Sequence, residues 1–92
     1  MILGFRHRDL ARLFEEGDRR RIAPRLIAKV ERVLARLDVA AKPRDMDLPG
    51  FGLHPLKGDR AGCRAVKVSA EWRIVFRFEG RDVRDVDLTD YH

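Results

Sequence analysis

Trp72-Arg73-Ile74-Val75-Phe76-Arg77-Phe78-Glu79 is the stretch whose reading decides the fold. Trp72, Ile74, Phe76 and Phe78 alternate with Arg73, Val75, Arg77 and Glu79. A period of two puts the large apolar set on one side of an extended chain and most of the charges on the other. It predicts a β-strand with one buried and one polar face. Just upstream, Arg64, Val66 and Val68 alternate with Ala65, Lys67 and Ser69, which predicts a second strand. Leu53–Leu56 reads as a short strand before it, with a turn at Gly58-Asp59-Arg60-Ala61-Gly62. Gly80 marks a turn into a last strand, Val83–Leu88. Within that strand Val83 and Val86 have opposite parity, so a bulge or register change is expected between them. Strands joined by turns this short pair antiparallel.

Toward the N-terminus the period lengthens. Ile22, Leu26, Val30, Val33 and Leu37 recur every three to four residues, and Ile27 and Leu34 widen the stripe into one face of a helix. Pro24 falls where a first-turn proline is tolerated, and Arg25, Lys29, Arg32 and Arg36 line the opposite face. A shorter helix carries Leu10, Leu13 and Phe14, with Asp9 as the expected cap and Gly17 as the stop. Ile2-Leu3-Gly4-Phe5 predicts an edge strand, and Ala40–Gly52 reads as a loop. The fold class is therefore α+β: two N-terminal helices packed on one face of an antiparallel β-sheet, in one domain over residues 1–92. The other sheet face carries Arg73, Arg77 and Lys67 and is expected to be wet and basic.

The chain has 92 residues, 45% of them hydrophobic and 38% charged. That length supports one modest core and excludes Rossmann and TIM-barrel enzymes. No apolar run is long enough to span a membrane, and the start lacks the pattern of a signal peptide. The single cysteine, Cys63, excludes a disulfide framework and a cysteine zinc cluster, and nothing beside it activates a thiolate. A soluble cytoplasmic protein is expected. The formal charge is +5 with a pI near 10.1, mostly through arginine, whose planar fork pairs with phosphate. Residues 1–44 carry a net +6 and residues 82–92 a net −3, so the positive potential lies on the N-terminal half and the middle.

Polar residues with chemical potential cluster at His54-Pro55-Leu56-Lys57-Gly58, at Trp72-Arg73 and at Asp90-Tyr91-His92. Cleaving RNA without a metal needs a base for the 2′-hydroxyl, an acid for the leaving 5′-oxygen and cations for the phosphorane. Histidine titrates near neutrality and serves either proton-transfer role. Two of the three histidines, His54 and His92, stand in these clusters. Lys57 and Arg73 are suited to the phosphate, Asp90 to orienting a histidine or taking the proton, and Tyr91 to stacking a base or donating a hydrogen bond. Taken singly, each has an ordinary structural explanation: a strand-end histidine, a solvated strand arginine, a frayed terminus. Trp72, Phe76 and Phe78 read as core. The three histidines lack metal-ligand spacing, and no cofactor is expected.

Leu53-His54-Pro55-Leu56-Lys57-Gly58-Asp59, Trp72-Arg73-Ile74 with Phe76, and the ending Asp90-Tyr91-His92 together resemble the HigB toxins of the RelE/ParE superfamily. The opening Ile2–Phe14 stretch and Asp47-Leu48-Pro49-Gly50 fit as well, so the resemblance covers essentially the whole chain. It implies a ribosome-dependent mRNA endonuclease, a metal-independent enzyme acting in the ribosomal A site. It also implies a HigA-type helix-turn-helix antitoxin as partner, operator DNA contacted only through that antitoxin, and no membrane. Carried over by position, His54, Asp90, Tyr91 and His92 match the catalytic set, and Lys57 and Arg73 the phosphate-binding cations. Cys63 and Arg64 depart from the aromatics that commonly follow Gly62 in that family. The departure offers Arg64 as a further RNA contact, alongside Lys67 and Arg77. A competing expectation from the same fold is a non-catalytic toxin, either a ParE-like gyrase inhibitor or a basic ribosome-binding module. The catalytic reading requires the C-terminal tail to fold back until His92 lies close to His54.

Overall fold

The alternation at 72–79 becomes an inner strand of the sheet. The computed structural model describes residues 1–91; His92, and with it the expected approach of His92 to His54, lies outside the described residues. Helix α1 spans Arg8–Glu16 and α2 spans Pro24–Val39. They are followed by β1 (His54–Pro55), β2 (Arg64–Lys67), β3 (Trp72–Glu79) and β4 (Asp82–Asp90). The strands form one four-stranded antiparallel sheet in the order β1-β2-β3-β4. The predicted fold class is what the chain adopts.

Both helices pack on the side of the sheet that carries Val66, Ile74, Phe76, Val83 and Val86, each 0% exposed. From the helices come Leu10, Leu13, Leu26, Val30, Val33, Leu34 and Leu37, all buried, so the apolar stripe of α2 does what its spacing implies. Burying a large aliphatic or aromatic side chain contributes about 1.5–3 kcal/mol, and this layer holds most of the molecule's apolar burial. Pro24 opens α2, and Gly17 closes α1 at φ 68°, its N–H bonded to Leu13 O. That left-handed cap favours a residue without Cβ.

The sequence places the α1 cap two residues late. His7, not Asp9, precedes the helix, and its Nδ1 accepts the Leu10 N–H at 3.2 Å while Asp9 sits in the first turn. An imidazole nitrogen satisfies the orphan donor as an Asx side chain would, and Asp9 meets the positive end of the helix dipole. Pro43–Met46 forms a 3₁₀ turn inside the region read as loop and delivers Met46 to the core at 0% exposure. Ile2–Phe5 runs along β4 in parallel, bridging at Ile2–Val83 and Phe5–Val86.

The parity conflict between Val83 and Val86 is resolved by a shift in the β3–β4 register between Val75 and Arg77. Asp85 occupies the extra position at φ 56°, a left-handed conformation that Asp tolerates better than most residues. The bulge lets both valines face the helices. It also turns Asp85 to the open side, where its Oδ2 accepts from Arg77 Nε at 3.1 Å. β4 continues through Thr89 and Asp90, two residues past the predicted end at Leu88, because backbone pairing with Arg73 and Trp72 needs no apolar side chain.

Candidate active site

The register separates the two faces residue by residue, since cross-strand partners share a side of the sheet. On the open face one row runs His54–Ala65–Val75–Asp87, and the next runs Lys67–Arg73–Thr89. Tyr91 follows Thr89 on the same parity. The sheet thus brings His54, Lys67, Arg73 and Tyr91 to one side, away from both helices.

The open face is less wet than the sequence implies. Ala65 and Val75 are 0% and 2% exposed although no helix covers them. On this side the connection from β1 to β2 is closed by hydrogen bonds from Leu56 N–H to Cys63 O and from Cys63 N–H to Arg60 O. It bends over the face so that Arg60 reaches Asp87 on β4. Beside this connection lies a cleft of about 410 Å³ lined by Leu56, Lys57, Asp59, Arg60 and Arg73. Lys57 and Arg73, far apart in sequence, therefore share one opening.

Each side chain is fixed by a local device. His54 Nδ1 lies 2.9 Å from the Gly52 carbonyl oxygen. A carbonyl can only accept, so that nitrogen carries a proton, and in the neutral ring the lone pair is then the one on Nε2. Gly52 has φ 57°, and a Cβ there would stand 3.3 Å from the Lys67 stem, so glycine serves both the backbone shape and the close approach of Lys67. Arg73 Nε donates to Thr89 Oγ1 at 3.2 Å, and the guanidinium carbon sits 5.2 Å from the centre of the Tyr91 ring. A cation over an aromatic face is attracted to its quadrupole. The Tyr91 N–H donates to Glu71 O at 3.1 Å, tying the last described residue to the β2–β3 turn. The Tyr91 hydroxyl is buried and finds no hydrogen-bond partner among the described residues.

Other expected site residues lie elsewhere. Asp90 pairs with Trp72 and Arg64 pairs with Phe76, so both have the parity of the helix-covered face. Asp90 is exposed there, one strand position from the open face. Arg77 is on the open face but is held by Asp85 and by Glu79 at 3.8 Å, with Arg84 closing the cluster onto Glu79 at 3.1 Å. Two residues that the sequence reading did not assign to the site, Arg60 and Asp87, sit on the open face. Arg60 stands in the turn three residues after Lys57 with Asp59 beside it, and no local pattern marks either Arg60 or Asp87. Among the described residues no group of three His, Cys, Asp or Glu is arranged to hold a metal ion. None of the helices among these residues is long and apolar enough to cross a membrane.

A family model described as the RelE-like toxin of type II toxin-antitoxin system HigB matches residues 3–92. The curated Endoribonuclease HigB of Proteus vulgaris is 35% identical over 92 residues, covering 100% of both chains. Among solved structures, a YoeB/ParE toxin from Agrobacterium tumefaciens superposes with TM-score 0.64 at 20% identity over 99% of this chain and 98% of that one. The YoeB–YefM complex from Staphylococcus aureus gives TM-score 0.63 at 15% identity over 100% and 95%. At those identities the structural matches speak for the fold.

Proposed function

The chain belongs to the HigB family of RelE-like toxins from type II toxin–antitoxin systems, and from that premise we propose that it is an endoribonuclease cleaving mRNA in the ribosomal A site. The observation that carries the proposal is the shared open face: Lys57 and Arg73 line one cleft, Tyr91 lies under Arg73, and His54 stands on the same side, its Nε2 without a hydrogen bond among the described residues.

In the proposed step a base takes the proton of the 2′-hydroxyl, the 2′-oxygen attacks the adjacent phosphorus, and the bond to the 5′-oxygen breaks. An acid gives that oxygen a proton. The products are a 2′,3′-cyclic phosphate, or the 3′-phosphate after hydrolysis, and a 5′-hydroxyl. His54 and His92 share the two proton transfers with Asp90, and Tyr91 holds the substrate. Lys57 and Arg73 neutralise the phosphorane, which bears one more negative charge than the phosphodiester. Each well-placed proton-transfer group contributes about 10²–10⁴-fold. The step uses no metal, so a chelator that leaves ribosomes intact should leave cleavage unchanged. The ribosome supplies the strand positioning that a 92-residue protein does not supply alone.

As a toxin of a type II system the protein has an antitoxin for its partner. We assign that partner to the HigA type, carrying the helix-turn-helix through which operator DNA is reached, and place the toxin in the cytoplasm where mRNA is translated. The basic outer face of α2 is the surface whose charge suits an acidic partner.

Purified protein added to a cell-free translation reaction, with mRNA 5′ ends mapped, tests the proposal. Cuts within translated codons bearing 5′-hydroxyl ends are expected. Intact mRNA on translating ribosomes, or DNA breaks without RNA cleavage, would defeat it, and the latter outcome would favour a gyrase inhibitor.

A further inference from the structure

The cleft contains a cation to which neither the sequence pattern nor the family resemblance gives a role. Arg60 ends the 3₁₀ turn Gly58–Arg60, and its carbonyl accepts the Cys63 N–H at 2.9 Å, so the origin of its side chain is fixed. From there its Nη2 stands 3.8 Å from Asp87 Oδ2 on β4. Asp87 shares its cross-strand row with Ala65 and Val75, which are buried on the face without helices. Asp87 is anchored in turn, its Oδ1 accepting the Leu88 N–H at 2.9 Å.

The Arg60–Asp87 contact differs from its neighbours in one respect. Arg73 and Arg77 commit their Nε to hydrogen bonds of 3.2 Å and 3.1 Å. Arg60 is oriented by charge at 3.8 Å, a separation too long for a hydrogen bond, with its side chain 36% exposed. Among the described residues its donor fork makes no hydrogen bond, and Arg60 lines the cleft with Lys57 and Arg73. Such a fork matches two phosphate oxygens at once.

We propose that Arg60 is a third phosphate-binding cation of the cleft, with Asp87 as the positioning residue that draws its guanidinium across the open face toward Arg73. The proposal rests on the reading that this cleft holds RNA. Because negative charge increases on going to the phosphorane, a third cation there strengthens in the transition state and acts mainly on kcat.

Purified variants are compared by cleavage of a defined mRNA on translating ribosomes. In parallel, salt-dependent binding of a 2′-deoxy oligonucleotide, which lacks the attacking hydroxyl, is measured. Arg60→Gln is expected to lower kcat by about 10²–10³-fold, the loss seen when one oxyanion donor is removed, with a much smaller change in KM. It should also flatten the plot of log affinity against log salt by about 0.7, the share of one phosphate contact on a single strand. Arg60→Met keeps the apolar stem, so a purely structural role predicts wild-type activity for it; the proposal predicts a loss equal to that of Arg60→Gln. Arg60→Lys should recover part of the activity by restoring the charge without the fork. Asp87→Asn should cost less than Arg60→Gln and add nothing to it.

Wild-type cleavage and salt slope in Arg60→Met overturn the proposal and leave the RNA-cleaving reading standing. A wild-type protein that does not cleave, but whose salt slope falls on Arg60→Met, removes the cleavage reading and keeps the cation site. No cleavage and no change in slope removes both.

Discussion

The two faces of the sheet are built from alternate residues of the same strands and obey opposite rules. Beneath the helices stand Val66, Ile74, Phe76, Val83 and Val86, fully buried, and the helices add only further apolar groups. On the open side stand Lys67, Arg73, Arg77, Asp87 and Thr89, the last four held by single hydrogen bonds and ion pairs, with the small apolar side chains Ala65 and Val75 beside them. Burial stabilises the first face by about 25 cal/mol per Å², whereas exposed ion pairs on the second contribute about 0–1 kcal/mol each. One parity of β3 therefore specifies the fold, and the other is free to carry charge toward a ligand.

Breaking the helix-covered face should have the largest effect. Phe76→Ala empties a fully buried site and should cost about 3–5 kcal/mol, read as a shift in the denaturant midpoint of unfolding. The corresponding loss on the open face should be catalytic. His54→Gln should lower cleavage on translating ribosomes by about 10²–10⁴-fold while the unfolding midpoint moves little. A His54 variant that instead unfolds at lower denaturant and cleaves normally when folded would erase the distinction between the faces.

Gly52→Ala tests the backbone beside Lys67 on the open face. The left-handed backbone should cost about 1–2 kcal/mol, and the new Cβ would displace the Lys67 stem 3.3 Å away. A modest fall in thermal midpoint with weaker RNA binding at raised salt is the expected pair of results.

The smallest effect concerns neither face. Asp45 has its carboxyl held below the ordinary carboxylate range, chiefly by the Ala41 N–H and, further, by the N–H and charge of Lys42. A depressed folded-state pKa means that its contribution is present above the ordinary range and is lost as pH falls through the depressed value. Asp45→Asn should thus be slightly less stable than wild type near neutrality, and the two unfolding curves should converge in acid. A gap that persists unchanged into strong acid would contradict this.

The apolar parity was legible in the sequence because burial imposes a period. The stripe from Ile22 to Leu37, the alternation at 72–79 and the clash between Val83 and Val86 each located an element or a bulge. The cap at His7 escaped because an imidazole can replace the usual Asx side chain, and the end of β4 escaped because Thr89 and Asp90 join by backbone alone. Of the candidate site residues, Lys57, Arg73, His54 and Tyr91 could be named from the sequence, and they lie on one side of the sheet. Arg64 and Asp90 could also be named, but only the register shows that they have the opposite parity. Arg60 crossing to Asp87 is a long-range contact with no local pattern behind it.

On the proposed function, the open face does chemistry without maintaining the fold. The most direct measurement replaces Lys57 and Arg73 together by Gln and follows unfolding and mRNA cleavage on the same preparation. An unfolding free energy within about 1 kcal/mol of wild type and cleavage reduced by more than about 10²-fold are expected. A folded double variant that cuts mRNA at the wild-type rate would contradict that expectation.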